Sequence, residues 1–239
     1  MLALLPILAG LSLAEAAAPG GLAATAASDP FAALREASGE RVSRAGVSGA
    51  SRAGGDNFVF LDNGVIRLGI DLSRGGTIGW LGPSSDRTLS LLNVYDFGRE
   101  VQASFYSGPA VFDPDGKCSE PGGWGRPWGY NPIGAGDVYH HPAPVLNYSI
   151  APDLTSASVW TLPLQWACDN VPCDCVFEQH ISLVGAAAEV NITMHTARVD
   201  KTFYPGQTQE LPAVYVTGDY CHLFTYNGTA PWTGAPLAE

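Results

Sequence analysis

Residues 58–81, FVFLDNGVIRLGIDLSRGGTIGWL, decide the fold class. The runs Phe58–Leu61 and Val65–Leu72 are rich in β-branched and aromatic residues, and Asp62-Asn63-Gly64 stands between them. Asn-Gly in that setting is a strong hairpin signal, because the type I′ turn it favours needs positive φ at both central residues. In the second arm Ile66, Leu68, Ile70 and Leu72 fall on one face and Arg67, Gly69 and Asp71 on the other, which is the two-residue period of a strand. Gly75-Gly76 then turns the chain into a third strand, Thr77–Leu81. Short strands joined by glycine turns predict an antiparallel sheet.

The same alternation continues downstream. It predicts strands at Val101–Tyr106, Val159–Ala167, Val176–Val184, Ala187–Thr196, Ala213–Thr217 and His222–Tyr226. In Val159–Ala167 the side chains of Trp160, Leu162, Leu164 and Trp166 make a large apolar face, and Pro163 within it marks an edge or a bulge. Gly185-Ala186 joins two of these strands as a hairpin. After position 56 no amphipathic run of helical length is present. With 28 Gly and 18 Pro in 239 residues, about a fifth of the chain, a long-helix protein is excluded. The expected fold is all-β, an antiparallel β-sandwich with long Gly/Pro loops and little helix.

The chain divides unevenly. Residues 1–16 read as a signal peptide: Leu2–Leu13 is an uncharged apolar run, followed by the A-x-A pattern Ala14-Glu15-Ala16. The run is too short for a membrane span, which takes about 20 apolar residues. Residues 17–55 are an Ala/Gly/Ser-rich linker with room for one short helix, N-capped by Asp29 and carrying Phe31 and Leu34. Residues 56–239 are the β-sandwich domain.

An extracellular setting agrees with two further features. Sequons stand at Asn147, Asn191 and Asn227. Cys168-x4-Cys173-x-Cys175, with Cys118 and Cys221, suits disulfides better than zinc, since paired C-x2-C ligands are lacking. The spacing does not fix the pairing, and five cysteines leave one over. The formal net charge of −11 argues against nucleic acid or an anionic membrane surface as a partner. There is no P-loop, no G-x-G-x-x-G, no G-x-S-x-G and no H-E-x-x-H, so neither a cofactor nor a metal is expected.

Chemistry concentrates in four stretches. In Asn93–Pro109, Asp96, Arg99, Gln102 and Tyr106 offer a carboxylate, a guanidinium fork, an amide and a phenol, a set suited to sugar hydroxyls. If Val101–Tyr106 is extended, Gln102, Ser104 and Tyr106 share a face; Asp96 and Arg99 would equally serve as an ion pair stitching the loop. The Gly/Pro-rich loop Ser119–Asp137 carries Trp124, Trp128 and Tyr130, whose rings either stack on pyranose faces or plug one end of the sandwich. Asp137, Tyr139, His140 and His141 follow, with a His or Tyr as the proton carrier. Glu210, in QTQELP before a strand, is a further candidate for proton transfer. Glu178 and His180, two apart on one strand, allow a carboxylate–imidazole pair, and His195 shares the face of Asn191 on the next strand.

The turn-strand GGTIGWL within Val65–Leu81 and the segment QTQELPAVY at Gln207–Tyr215 resemble the galactose-mutarotase-type β-supersandwich proteins, which include sugar epimerases and the sandwich domains of polysaccharide lyases. The resemblance implies a histidine acid and a late glutamate base. Glu210 matches the setting of the glutamate, and His140 and His141 are the histidines in reach. The expected function is a secreted carbohydrate-active protein working by proton transfer on a sugar. Arg99, Asp137, His140 and Glu210 would be its catalytic residues, and Asp96, Gln102, Tyr106, Trp124, Trp128 and Tyr139 would contact the sugar. A non-catalytic glycan-binding module and a structural secreted glycoprotein are the alternatives.

Overall fold

The computed structural model describes residues 7–10, 57–96, 98–106, 112–113, 116, 118, 129–198 and 208–222. In chain order its first six strands are β1 (Ile7–Gly10), β2 (Phe58–Asp62), β3 (Ile66–Asp71), β4 (Thr77–Pro83), β5 (Val101–Ser104) and β6 (Pro132–Ile133). The others are β7 (Val145–Ile150), β8 (Ser156–Thr161), β9 (Leu164–Gln165), β10 (Cys175–Val184), β11 (Ala187–Thr196) and β12 (Glu210–Val214). One turn of 3-10 helix, Gly218–Tyr220, is the sole helical element among the described residues.

The expected all-β architecture is what forms. The strands make a three-stranded sheet β2-β3-β4, a five-stranded sheet β1-β11-β10-β8-β7 and a four-stranded sheet β12-β5-β6-β9. Every pairing is antiparallel except β1 with β11. Residues 7–10 lie inside the apolar run read above as a signal peptide, and they form the edge of the five-stranded sheet.

One core joins the sheets. Leu61, Ile66, Leu68, Ile70, Ile78 and Leu81 from the first sheet pack with Val159, Phe177, Ile181, Val190 and Ile192 from the second and with Val101 and Ala103 from the third. The junction is the β3–β4 turn. At Gly75, φ is +66° and a Cβ would stand 1.8 Å from the carbonyl oxygen of Gly134, so only glycine fits. Thr161 Oγ1 donates to the Gly75 carbonyl at 2.5 Å, and Gln179 Nε2 donates to that of Gly76 at 3.2 Å. The double glycine thus fixes how the sheets meet.

The hairpin forms where Asn63-Gly64 predicts it, with a different turn. Gly64 has φ +80° and Asn63 is not in the left-handed region, so the turn is not type I′. The Asn63 side chain instead accepts the N–H groups of Val65 and Ile66 at 3.0 and 2.9 Å, doing by hydrogen bonding what positive φ would have done. The outward residues of β3 are also buried. Arg67 is 3% exposed, with its guanidinium 3.7 Å from the Phe60 ring centroid and 5.8 Å from that of Trp80, a cation–π contact sheltered from water.

The expected strand Val159–Ala167 is corrected. Pro163 offers no N–H to a ladder, and β8 ends at Thr161 while β9 restarts at Leu164. The residues of β8 that enter the core are Ala157, Val159 and Thr161, and Trp160, Leu162 and Trp166 are only half-buried. β5 stops at Ser104 rather than Tyr106, and β12 runs from Glu210 to Val214 rather than 213–217, with a bulge between Glu210 and Ala213. His222 is irregular, and residues 223–226 of that expected strand lie outside the described residues, as does the expected helix in 17–55. β10 and β11 form the expected hairpin through Gly185-Ala186. Cys118 bonds Cys168 and Cys173 bonds Cys175, and the exposed Cys221 is left over.

Candidate functional site

Antiparallel pairing of β12 with β5 sets Glu210 opposite Ser104, and the side chains around it converge. The Glu210 carboxylate accepts hydrogen bonds from Gln102 Nε2 and from the Tyr106 hydroxyl at 3.0 Å, and the Tyr215 phenol lies near enough to feel its charge. Tyr106 stands beyond the end of β5 and is held by Gln209, whose side-chain amide takes the place of a ladder partner. Gln209 Oε1 accepts the Tyr106 N–H at 2.6 Å, and its Nε2 donates to the Tyr106 carbonyl at 2.9 Å. Burial first, and then the charge of Glu210, raise both phenols above their ordinary value; Ser104 opposes this at Tyr106 and Arg99 opposes it at Tyr215. Both tyrosines therefore stay protonated, and Tyr106 acts as a donor.

The loop before β5 lies against this group. Asn93 N–H donates to the Tyr215 carbonyl at 2.9 Å and Leu92 bridges Val216, which sets Val94, Tyr95 and Asp96 beside β12. Tyr95 is 94% exposed and Tyr215 44%. Arg99 is engaged on both sides: one guanidinium nitrogen lies 3.2 Å from Asp96, and the other donates to the Asp137 carbonyl at 3.0 Å. The Asp96–Arg99 ion pair forms, with the Arg99 side chain mostly buried and that of Asp96 50% exposed. Glu100, next along, is buried with its carboxylate on the Gly98 N–H at 2.8 Å; burial pushes its pKa up.

The Asp137 carboxylate has no exposed surface. Oδ1 accepts the N–H groups of Tyr139 and His141, each at 2.9 Å, and Oδ2 accepts His141 Nδ1 and the Asn170 N–H, each at 2.8 Å. Asp137 is thus the hub of its loop, out of reach of a substrate. Nδ1 of the His141 ring is thereby fixed on Asp137, and the side chain is 42% exposed. A second carboxylate, Asp169, lies 3.6 Å from Nδ1. His140 is exposed at φ 69°, and Tyr139 is 37% exposed with its ring 6.5 Å from that of His141.

The structure therefore joins Gln102, Tyr106 and Glu210 in one hydrogen-bonded group, with Asp96 and Arg99 at its flank, and links Arg99 through the Asp137 backbone to His141. Ser104 and Asn131 are buried and bonded to each other at 2.8 Å, so Ser104 supports the group from within. Trp124, Trp128 and Asn227 lie outside the described residues. Sequence reasoning missed Tyr95 and Tyr215. The signal for Tyr215 was its place shortly after the Glu-Leu-Pro segment; an aromatic in an exposed loop such as Tyr95 carries no periodic signal.

A second polar group covers the outer face of the five-stranded sheet. Ser158 Oγ lies 2.7 Å from His180 Nδ1, His180 Nε2 lies 2.9 Å from Glu178 Oε1, and His195 Nε2 lies 2.6 Å from Glu178 Oε2. The same face exposes Asn191, opposite His180, and Asn147, opposite Trp160. Burial raises the Glu178 pKa, but the hydrogen bonds and charges of His195 and His180 outweigh it and the net shift is downward. A lowered carboxyl contributes stability above its unfolded pKa of about 4.3 and loses it as pH falls through the folded value. The midpoint difference between the natural chain and Glu178→Gln is therefore expected to be full above about pH 5 and to vanish on acidification toward pH 3. Its size is on the order of 1 kcal/mol, because His180 is half-exposed and solvent screens the pair. Thermal melts across that range check it, and a difference independent of pH contradicts it.

Among the described residues no cluster of three or more His, Cys, Asp and Glu is arranged to hold a metal ion, and no helix is long and apolar enough to cross a membrane. No protein-family model matches the chain, and no curated protein or solved structure matches it.

Proposed function

We propose that the chain is a secreted carbohydrate-active protein whose site lies along β12, β5 and the loops at 93–99 and 137–141. The observation that carries this reading is the Glu210 carboxylate held by Gln102 and Tyr106 near Tyr215, whose backbone pairs with the loop that carries the exposed Tyr95. Aromatic faces next to convergent donors and acceptors suit a pyranose, whose C–H faces are apolar and whose rim is polar.

The proposed chemistry is proton transfer on the sugar, of the epimerase type that the resemblance to the supersandwich proteins implies. Glu210 is the base, its charge held by two donors before the substrate arrives. His141 is the acid, working through Nε2, and Asp137 is the positioning residue that fixes its tautomer. The tyrosines donate hydrogen bonds. Export is supported by the two disulfides and by the exposure of Asn147 and Asn191, which are proposed glycosylation sites. A second reading, a glycan-binding module, is favoured by Tyr95, which is exposed enough to stack on a sugar without any chemistry.

A glycan-array screen followed by incubation of each hit with the protein separates these readings. A hit whose anomers interconvert faster, or whose C–H proton next to a carbonyl exchanges with solvent deuterium, supports the enzyme. A hit that is retained unchanged supports the module, and the absence of any hit overturns the carbohydrate reading.

A further inference from the structure

β11 borders the five-stranded sheet with a long edge that nothing in its sequence blunts. Resting on the export reading above, we propose that removal of residues 1–16 frees this edge to pair with the same edge of a second copy of the chain. The edge already takes a strand, because β1 pairs in parallel with Ala188–Asn191. Cleavage after Ala16 takes that strand away, and among the described residues no strand pairs with Ile192–Thr196 on the same side. A strand running from Ala187 to Thr196 is then left with one row of backbone donors and acceptors open. Sheet edges of that length are normally blunted by proline, lysine or a bulge. β11 has no proline and no lysine, and its register with β10 runs without a shift. The residues along the edge suit a second copy. For the buried face to continue across a twofold axis, residues of the same face must stand opposite each other. Antiparallel pairing centred on Ile192 does this from Ala188 to Thr196. Ile192 meets its own copy and Val190 meets Met194, each of them part of the core or packed on it. On the outer face Asn191 meets Thr193, and Glu189 meets His195, an imidazole that Glu178 also holds. No like charges stand directly opposite each other. A glycan on Asn191 leaves perpendicular to the sheet and clears the edge.

The test expresses the full chain in a secreting host, collects it from the medium and reads its amino terminus and mass by mass spectrometry. The expected product begins after Ala16 and sediments at twice that mass within about 1–100 μM, the range suited to a small interface. Asn191→Lys combined with Thr193→Lys sets lysine opposite lysine at both outer pairs and is expected to return the monomer mass. Asn191→Gln, which removes the sequon without adding charge, is expected to stay dimeric. Register is read with single cysteines in a Cys221→Ser chain. Facing residues of an antiparallel pair have Cα atoms about 4.5–5.5 Å apart, within disulfide reach. Ile192→Cys is therefore expected to give a dimer band that reductant removes, and Val190→Cys, which faces Met194, is expected to give none. This arm does not depend on how the lysine chain folds. A processed chain that stays monomeric overturns the proposal. So does a dimer that survives the paired lysines, or one that cross-links equally through Val190→Cys and Ile192→Cys. Each of these leaves the export reading intact. A chain that keeps residues 1–16 overturns the proposal together with that reading.

Discussion

Asp137→Ala is expected to lower the thermal midpoint by about 10 °C. The carboxylate it removes is fully buried and accepts three backbone N–H groups and one imidazole nitrogen. Leaving a buried donor without an acceptor costs about 1–3 kcal/mol. Some of the freed groups sit near the exposed Tyr139 and His140 and regain water, so the sum falls short of four full penalties. A loss of about 3–5 kcal/mol is the consistent figure, and for a chain of this size 1 kcal/mol moves the midpoint by about 2–4 °C. Asp137→Asn keeps one acceptor oxygen and is expected to fall between. Differential scanning calorimetry of the three chains is the check. A midpoint within about 2 °C of the natural chain for Asp137→Ala would show that the loop holds itself without its hub.

Glu210→Gln is expected to do the opposite: abolish function and spare the fold. Glutamine has nearly the same shape, and its carbonyl oxygen can take the place of Oε2 and still accept from Gln102 and Tyr106. Its neutral amide cannot take a proton from a sugar. For an enzyme the expected loss in turnover is about 10²–10⁴-fold, with the midpoint nearly unchanged because Glu210 is only half-buried. Turnover that survives the substitution would make Glu210 a structural acceptor for Gln102 and Tyr106. Loss of folding would place it in the same class as Asp137.

The contrast between these two carboxylates shows what the sequence could reveal. Both stand in polar loops or at strand ends, and residue type alone gave them the same role. Their difference lies in the partners the fold brings them: backbone amides for Asp137, and side chains from β5 and the residues just after it for Glu210. The local features were readable. Alternation gave β3, β10 and β11, the double glycine gave the β3–β4 turn, and the two-residue offset of Gln102, Ser104 and Tyr106 placed them on one face. What depends on distant chain was not readable. The inward face of β8 was misassigned because Pro163 splits two strands, and a pattern read through the break favours the tryptophans. The Asn63 side chain replaced a backbone conformation in the first hairpin. The loop carrying Tyr95 reaches Tyr215 only through the pairing of residues 92 and 93 with 215 and 216, and nothing periodic announces such a pairing. Glu178 and His180 were legible as a pair, whereas Ser158 and His195 joined them through the register of β8 and β11.

The account turns on residues from 95–102, 139–141 and 209–215 serving one sugar site. Backbone amide NMR during titration with a glycan from the array tests this most directly. The expected result is that the shifts cluster in those three segments and saturate together with a single affinity. Shifts confined to the outer face of the five-stranded sheet around Ser158 and His180, or segments that saturate at different affinities, would contradict it.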